Sequence, residues 1–326
     1  MKFENVRWGI IGCGDVTEVK SGPAFQKSKN SELVAVMRRN GQLAREYAER
    51  HGVPKWYDDA DALINDADVD AVYIATPPSS HKEYTIKVAK AGKPIYVEKP
   101  MALHTEECNE MIAASKEAGV PLYVAYYRRA LPRFKKIKEL LDNDAIGNVC
   151  FVSTTQYQKA LENVKDSWRV QPEISGGGLF VDVGSHTLDI LDFLLGPIKE
   201  VEGFTSNQAG NYQAEDIVTG AYLFESGIHG MGNWCFTAYD NVDRNEIIGS
   251  KGKITFSTFG NEPVVLTTMD GTNEFAFDMP KHVHQPLVET IVAELTGKSD
   301  ECPSIGVSGG RTNLVMGQFL GDVVEE

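Results

Sequence analysis

The stretch Pro94-Ile-Tyr-Val-Glu-Lys-Pro-Met-Ala-Leu103 sets a short apolar run against Glu98 and Lys99, and Pro100 then forbids the strand to continue. An ammonium held by such a turn is suited to stabilise negative charge on an oxygen, as when an alcohol loses hydride. The same residues also fit a structural Glu–Lys pair that caps a strand. A second strand end reads Ala75-Thr76-Pro77-Pro78, with His81 shortly after it. Farther along, Ser175-Gly-Gly-Gly178 precedes Asp182, His186 and Asp189, spaced so that a helix presents all three on one side. An imidazole can accept a hydroxyl proton near neutral pH, and a carboxylate one turn away can orient it. An interior histidine held by packing and an Asp/His/Asp metal site are the competing readings. No further ligand cluster accompanies the set, so no metal is expected.

Near the N-terminus the run Gly9-Ile-Ile-Gly-Cys-Gly-Asp-Val-Thr17 follows the first apolar strand. Gly12 and Gly14 match the first two glycines of Gly-x-Gly-x-x-Gly. The first permits a tight turn, and the second lets backbone N–H groups approach a pyrophosphate at the start of a helix that opens with Asp15 and Val16. Thr17 stands where the third glycine is usual, which predicts looser helix–strand packing. The second strand ends Val36-Met37-Arg38-Arg39-Asn40, without the acid that usually binds the ribose of NAD. Paired arginines suit a 2′-phosphate, so NADP is favoured over NAD; two solvated surface charges are the plainer alternative.

These residues need elements to hold them. In the first half, apolar runs at 8–11, 33–37, 71–75, 95–97 and 122–125 alternate with helical stretches at 42–51, 80–91 and 105–118, each closed by glycine. That rhythm predicts a doubly wound parallel sheet of Rossmann type, with ligands outside the carboxyl ends of its strands. After about residue 145 the pattern becomes strand-like at 149–158, 200–206, 217–225, 228–237, 243–248, 254–258, 263–268 and 274–278, joined by turns. One helix at about 179–195 interrupts it, and two at about 284–296 and 308–320 close the chain. The expected organisation is α/β: a dinucleotide-binding domain over 1–128, then an α+β substrate-binding and oligomerisation domain over 129–326, built on a large, mainly antiparallel sheet.

The 326 residues are 42% hydrophobic and 24% charged, with a formal net charge of −14. Such an acidic chain is poorly suited to grip nucleic acid or an anionic membrane. No apolar run has the length of a membrane span or a signal peptide. Cys13, Cys108, Cys150, Cys235 and Cys302 are odd in number and unclustered, which points to reduced thiols and a cytoplasmic protein.

The Gly-x-Gly turn, Thr76-Pro-Pro-x-x-His81, Glu98-Lys99-Pro100 and the Asp182/His186 segment, in that order, resemble the Gfo/Idh/MocA oxidoreductases over nearly the whole chain. That family includes glucose–fructose oxidoreductase and inositol dehydrogenases. The resemblance implies hydride transfer between a nicotinamide and a sugar, polyol or related cyclic compound. It implies that Lys99 is catalytic and lies near nicotinamide and substrate, that His186 is the acid/base and that Asp182 orients it. Thr76, Pro77, His81 and Glu98 would line the cofactor; Tyr126, Arg128, Trp168 and Arg169 would line the substrate. His104, His282 and His284 lack a supporting pattern and are expected on the surface. The family commonly pairs through its second sheet, so a homodimer or homotetramer is expected. An NAD-dependent glycosidase on the same scaffold is the alternative reading; a ligand sensor is a weaker one, since Lys99, Asp182 and His186 are all retained.

Overall fold

The computed structural model describes residues 2–161, 164–299 and 302–321. The chain divides into two compact units, Met1–Ala130 with Pro280–Gly310, and Leu131–Met279 with Arg311–Glu326. The sequence suggested a single boundary after residue 128; instead the segment 280–310 returns to the first unit.

The first unit runs β1 (Val6–Ile11), α1 (Asp15–Val19), α2 (Gly22–Lys27), β2 (Ser31–Met37), α3 (Gly41–His51), β3 (Lys55–Tyr57), α4 (Ala60–Ile64), β4 (Ala71–Ile74), α5 (His81–Lys90), β5 (Ile95–Val97), α6 (Thr105–Ala118) and β6 (Leu122–Val124). Its six strands are parallel in the order β3-β2-β1-β4-β5-β6. The order reverses between β1 and β4, which makes a switch point at their carboxyl ends. Both faces are covered. Ile11, Val72, Ile74 and Val97 pack on one side with Leu63, Val88 and Met111, and Trp8, Phe25, Tyr73, Tyr96 and Tyr123 on the other.

The second face explains why the chain returns. Tyr73, Tyr96 and Tyr123 are register partners on β4, β5 and β6. The first two rings stack at 4.8 Å. The segment beyond residue 280 catches two of the hydroxyls: His284 Nδ1 lies 3.0 Å from Tyr96, and Glu294 accepts from Tyr123 at 2.9 Å. Between them, Leu287, Val288, Ile291, Val292 and Leu295 are buried in the same cluster. Each such aliphatic side chain contributes about 1.5–3 kcal/mol when buried. Ser304 completes the return by bonding both backbone groups of Val124.

The second unit contributes α7 (Pro132–Asp142), β7 (Val149–Lys159), α8 (Pro172–Ser175), α9 (Ser185–Leu195), β8 (Ile198–Ser206), β9 (Ile217–Phe224), β10 (His229–Ala238), β11 (Val242–Gly249), β12 (Gly252–Phe256), β13 (Val264–Thr268) and β14 (Gly271–Phe275). The returning segment carries α10 (Gln285–Leu295), and α11 (Gly306–Leu320) follows it. The eight strands lie in the order β14-β13-β12-β11-β7-β10-β9-β8, antiparallel throughout except for the β7–β10 pair. The inner face buries Val152, Tyr222, Trp234, Phe236, Ile247 and Phe256. Phe180 meets Trp234 edge-on at 5.1 Å, and Phe319 of α11 meets both. Among the described residues, no helix is long and apolar enough to cross a membrane.

Candidate functional site

In the first unit, three strand-end loops meet at the switch point. Gly12 has φ 89°, a left-handed conformation that glycine adopts without strain, and a Cβ there would sit 2.7 Å from Thr76 Cγ2. The turn after β1 therefore lies directly against the turn after β4. At Gly14 the space is open: the one heavy atom near an added Cβ is Gly12 O, 3.9 Å away. Glycine is not needed there for packing. Its bareness fits a dinucleotide whose pyrophosphate approaches the backbone at Gly14, Asp15 and Val16.

Thr17 does not loosen this turn. Its buried hydroxyl donates to Gly14 O at 2.7 Å and stands 3.0 Å from Gly14 N, and its carbonyl accepts from Tyr47 at 2.8 Å. A side chain does by hydrogen bonding what the third glycine does by close approach. Beyond β2, Arg38 and Arg39 are exposed, and the Arg38 N–H donates to Tyr57 O at 3.2 Å, so β3 fixes the start of the arginine pair.

His81 is fully buried and bridges the other two loops. Nε2 lies 2.7 Å from Thr76 O, and Nδ1 lies 3.1 Å from Pro100 O and 3.2 Å from Met101 O. Burial lowers its pKa, and the carbonyls only partly oppose that effect. The turn carrying Thr76 and Pro77 is thus tied to the one carrying Lys99 and Pro100. Glu98 is buried beneath the latter. Its Oε2 accepts from the Lys99 backbone N–H at 3.2 Å, and its Oε1 accepts a very short bond from Tyr73, whose hydroxyl also lies 3.1 Å from Ser21 Oγ. Burial raises the Glu98 pKa, opposed by Tyr73 and by the charges of Lys99 and Lys20. Glu98 is therefore a support beneath the lysine turn.

Two expectations change here. His282 and His284 are buried, not on the surface. His282 Nδ1 bonds Val19 O at 2.6 Å, and the His284 N–H bonds Lys20 O. Tyr126, expected among the substrate contacts, is fully buried within the core layer around Val97 and Val124. Arg128 is also buried, with its guanidinium 4.8 Å from the Tyr127 ring centre.

In the second unit, the segment read as one helix is a π-turn, Phe180–Gly184, leading into α9. Asp182 lies in the wider turn and His186 in the α-helix, so plain four-residue spacing does not describe them; such insertions recur at functional sites. Asp182 Oδ2 pairs with Arg169 Nε at 3.3 Å, and the Arg169 guanidinium lies 4.5 Å from the Trp168 ring centre. Trp168, Arg169 and Asp182 thus form one group. His186 is buried, with its ring edge-on to Phe259 at 5.6 Å. Asp189 is buried beside Thr312, and Asp192 holds Arg311 through two bonds of 2.8 Å. Among the described residues, no cluster of three or more His, Cys, Asp or Glu could hold a metal.

The glycines before Asp182 serve an internal partner. Gly178 N–H donates to both Glu215 carboxylate oxygens, at 2.7 and 2.9 Å, and a Cβ on Gly178 would sit 2.6 Å from Glu215 O. Burial pushes the Glu215 pKa up to about 7. Sequence reading missed Glu215 because only folding brings it to the glycine run.

A family model described as "Oxidoreductase family, NAD-binding Rossmann fold" matches residues 6–126, and a Gfo/Idh/MocA C-terminal domain model matches residues 134–255. Oxidoreductase P35 of Formosa agariphila is 41% identical over 302 residues, covering 91% of this chain and 93% of that one. Myo-inositol 2-dehydrogenase of Thermotoga maritima is 29% identical, covering 98% and 97%. Aldose-aldose oxidoreductase from Caulobacter crescentus, solved with glycerol, superposes with a TM-score of 0.86 at 26% identity, covering 98% of this chain and 97% of that one. This chain therefore belongs to the Gfo/Idh/MocA family of NAD(P)-dependent oxidoreductases.

Proposed function

We propose that the protein oxidises a hydroxyl of a sugar, polyol or related cyclic compound, or reduces the matching carbonyl, with Lys99 and His186 acting on the reacting oxygen. The observation that carries this reading is the knitting of the three loops after β1, β4 and β5. Gly12 abuts Thr76, and His81 joins Thr76 to Pro100, so the Lys99 turn stands beside a glycine turn open at Gly14. The inositol dehydrogenases and the anhydrofructose reductase among the relatives support the substrate class.

When bound, the nicotinamide supplies a two-electron hydride acceptor or donor. In the oxidative direction the hydroxyl proton passes to His186. The Lys99 ammonium stabilises the negative charge that develops on oxygen as the C–H bond breaks. Asp182, held by Arg169, sets the electrostatics beside His186, while Trp168 offers an aromatic face to the hydroxylated substrate. Glu98 fixes the Lys99 backbone. Thr76 and Pro77 would line the nicotinamide when it is bound, with the buried His81 holding their turn against the Lys99 turn.

Arg38 and Arg39 favour NADP, because two exposed guanidinium groups follow β2 where an acid would repel a 2′-phosphate. Replacing both with Ala should weaken NADP binding at least ten-fold and leave NAD binding unchanged; equal loss for both cofactors removes the preference. The open face of the second sheet carries Phe204, Met231 and Ile248, whose exposure suits pairing with a second copy. A monomer in light scattering would refute that pairing. The direct test of function is a panel of sugars and polyols with each cofactor, followed by nicotinamide absorbance. Sugar release without net absorbance change would favour the glycosidase reading instead.

A further inference from the structure

His284 is the least expected of the buried polar groups in the first unit. It precedes α10, on the segment that returns from the far end of the sequence, and it is 2% exposed. Its backbone N–H is anchored on Lys20 O, just beyond the glycine turn, and its ring packs on Tyr127 with centroids 4.6 Å apart. One ring nitrogen, Nδ1, lies 3.0 Å from the Tyr96 hydroxyl. The other, Nε2, faces Glu98 Oε1 at 3.7 Å. That distance is too long for a hydrogen bond, so the contact acts as an oriented dipole.

The ring's protonation follows from its neighbours. Burial and the positive charges of Lys20, Arg128 and Lys99 lower its pKa to about 3, so it is neutral at working pH. Burial raises the Tyr96 pKa well above its ordinary value, so Tyr96 is an O–H donor. Donation from Tyr96 to Nδ1 leaves the ring proton on Nε2, pointing at the carboxylate. The opposite tautomer would aim a lone pair at an anion. Glu98 is then faced by Tyr73 from β4, Tyr96 from its own strand, Lys99 beside it, Lys20 beyond α1 and the Nε2–H of His284.

We propose that His284 is a positioning residue for Lys99, acting through Glu98: its Nε2–H keeps the buried carboxylate ionised and aimed at the Lys99 backbone N–H. The value of this to catalysis rests on the reading of Lys99 given above. Burial alone drives Glu98 toward its neutral form, and a protonated Glu98 would hold the Lys99 amide less firmly. The His284 contact opposes that drift. It also joins the lysine turn to the loop beyond the glycine turn, because the same residue is bound to Lys20 O.

The test compares His284→Gln, His284→Asn and His284→Leu. A glutamine amide N–H reaches the place of Nε2–H, an asparagine amide reaches only the place of Nδ1, and leucine supplies neither. The primary readout is the titration of the Glu98 carboxyl carbon by NMR in cofactor-free protein labelled at glutamate, assigned by its loss in Glu98→Gln. The midpoint should move upward in His284→Leu and His284→Asn and stay near the parent in His284→Gln. In steady-state kinetics the acid limb of kcat should follow the same order. Near that limb, turnover should fall about ten-fold for leucine and stay within about two-fold for glutamine. If His284→Leu does not fold, the glutamine–asparagine pair carries the comparison. A Glu98 midpoint unmoved in folded leucine or asparagine variants, or moved equally by glutamine, overturns the proposal. Turnover that survives Lys99→Met overturns the catalytic reading of Lys99 instead; the cofactor-free titration still decides whether His284 supports Glu98.

Discussion

Glu215 makes folding of the second unit depend on pH in a way that can be calculated. Its carboxylate accepts from the Gly178 N–H at the start of the segment bearing Asp182 and His186. Burial raises its pKa from an ordinary 4.5 to about 7, with the neighbouring Asp216 charge adding to the rise and the Gly178 bond opposing it. The folded state therefore binds this proton more tightly than the unfolded chain does. Its contribution is most favourable below the unfolded pKa and declines as pH rises through the window between 4.5 and about 7. Between pH 5 and pH 8 the linkage relation gives a loss of about 2.5 kcal/mol from this one group, an upper value because the side chain is not wholly buried. Glu215→Gln keeps a carbonyl oxygen for Gly178 and cannot ionise. In urea denaturation at the two pH values, the parent should lose more stability than the variant, by up to about 2.5 kcal/mol. Parallel losses in the two proteins would show that Glu215 titrates normally and would remove the argument.

Two further outcomes follow from the fold. Gly14→Ala should leave thermal stability nearly unchanged, because a Cβ there meets only Gly12 O at 3.9 Å, yet lower affinity for nicotinamide dinucleotides about ten-fold or more in a fluorescence titration. Unchanged affinity would move the pyrophosphate away from this turn. Ile291→Ala removes a fully buried side chain of the returning helix and should cost about 2–5 kcal/mol in chemical denaturation. A cost below 1 kcal/mol would mean that α10 adds little to the first unit.

The parts of the structure legible in the sequence were those with local signals. Alternating apolar runs and glycine helix stops gave the parallel sheet, and the turns between short strands gave eight strands of the second sheet, the last beginning at Gly271 instead of residue 274. The strand β3 was missed because Lys55-Trp-Tyr57 is too short and too exposed to carry a period. Helix α10 was recognised but assigned to the wrong unit, since its apolar face says only that it packs, not against what. The tyrosine hydroxyls that hold it and His284 before it lie on two strands, β5 and β6, and become a receptor only when the register aligns them. His284 and Glu215 were unreadable for the same reason: each gains its meaning from a partner far away in the chain. The π-turn at Phe180–Gly184 has no periodic signature of its own, so Asp182 and His186 read as plain helical neighbours.

The central claim is that Lys99 and His186 serve one hydride-transfer step on one substrate. The most direct measurement is single-turnover nicotinamide absorbance for Lys99→Met, His186→Ala and the double variant, using the substrate that the panel identifies. Groups acting together in one transition state are strongly non-additive, so each single variant should slow the step by about a thousand-fold or more, with the double variant little slower than the worse single one. Either single variant turning over within a few-fold of the parent would contradict the claim, as would two losses that simply multiply.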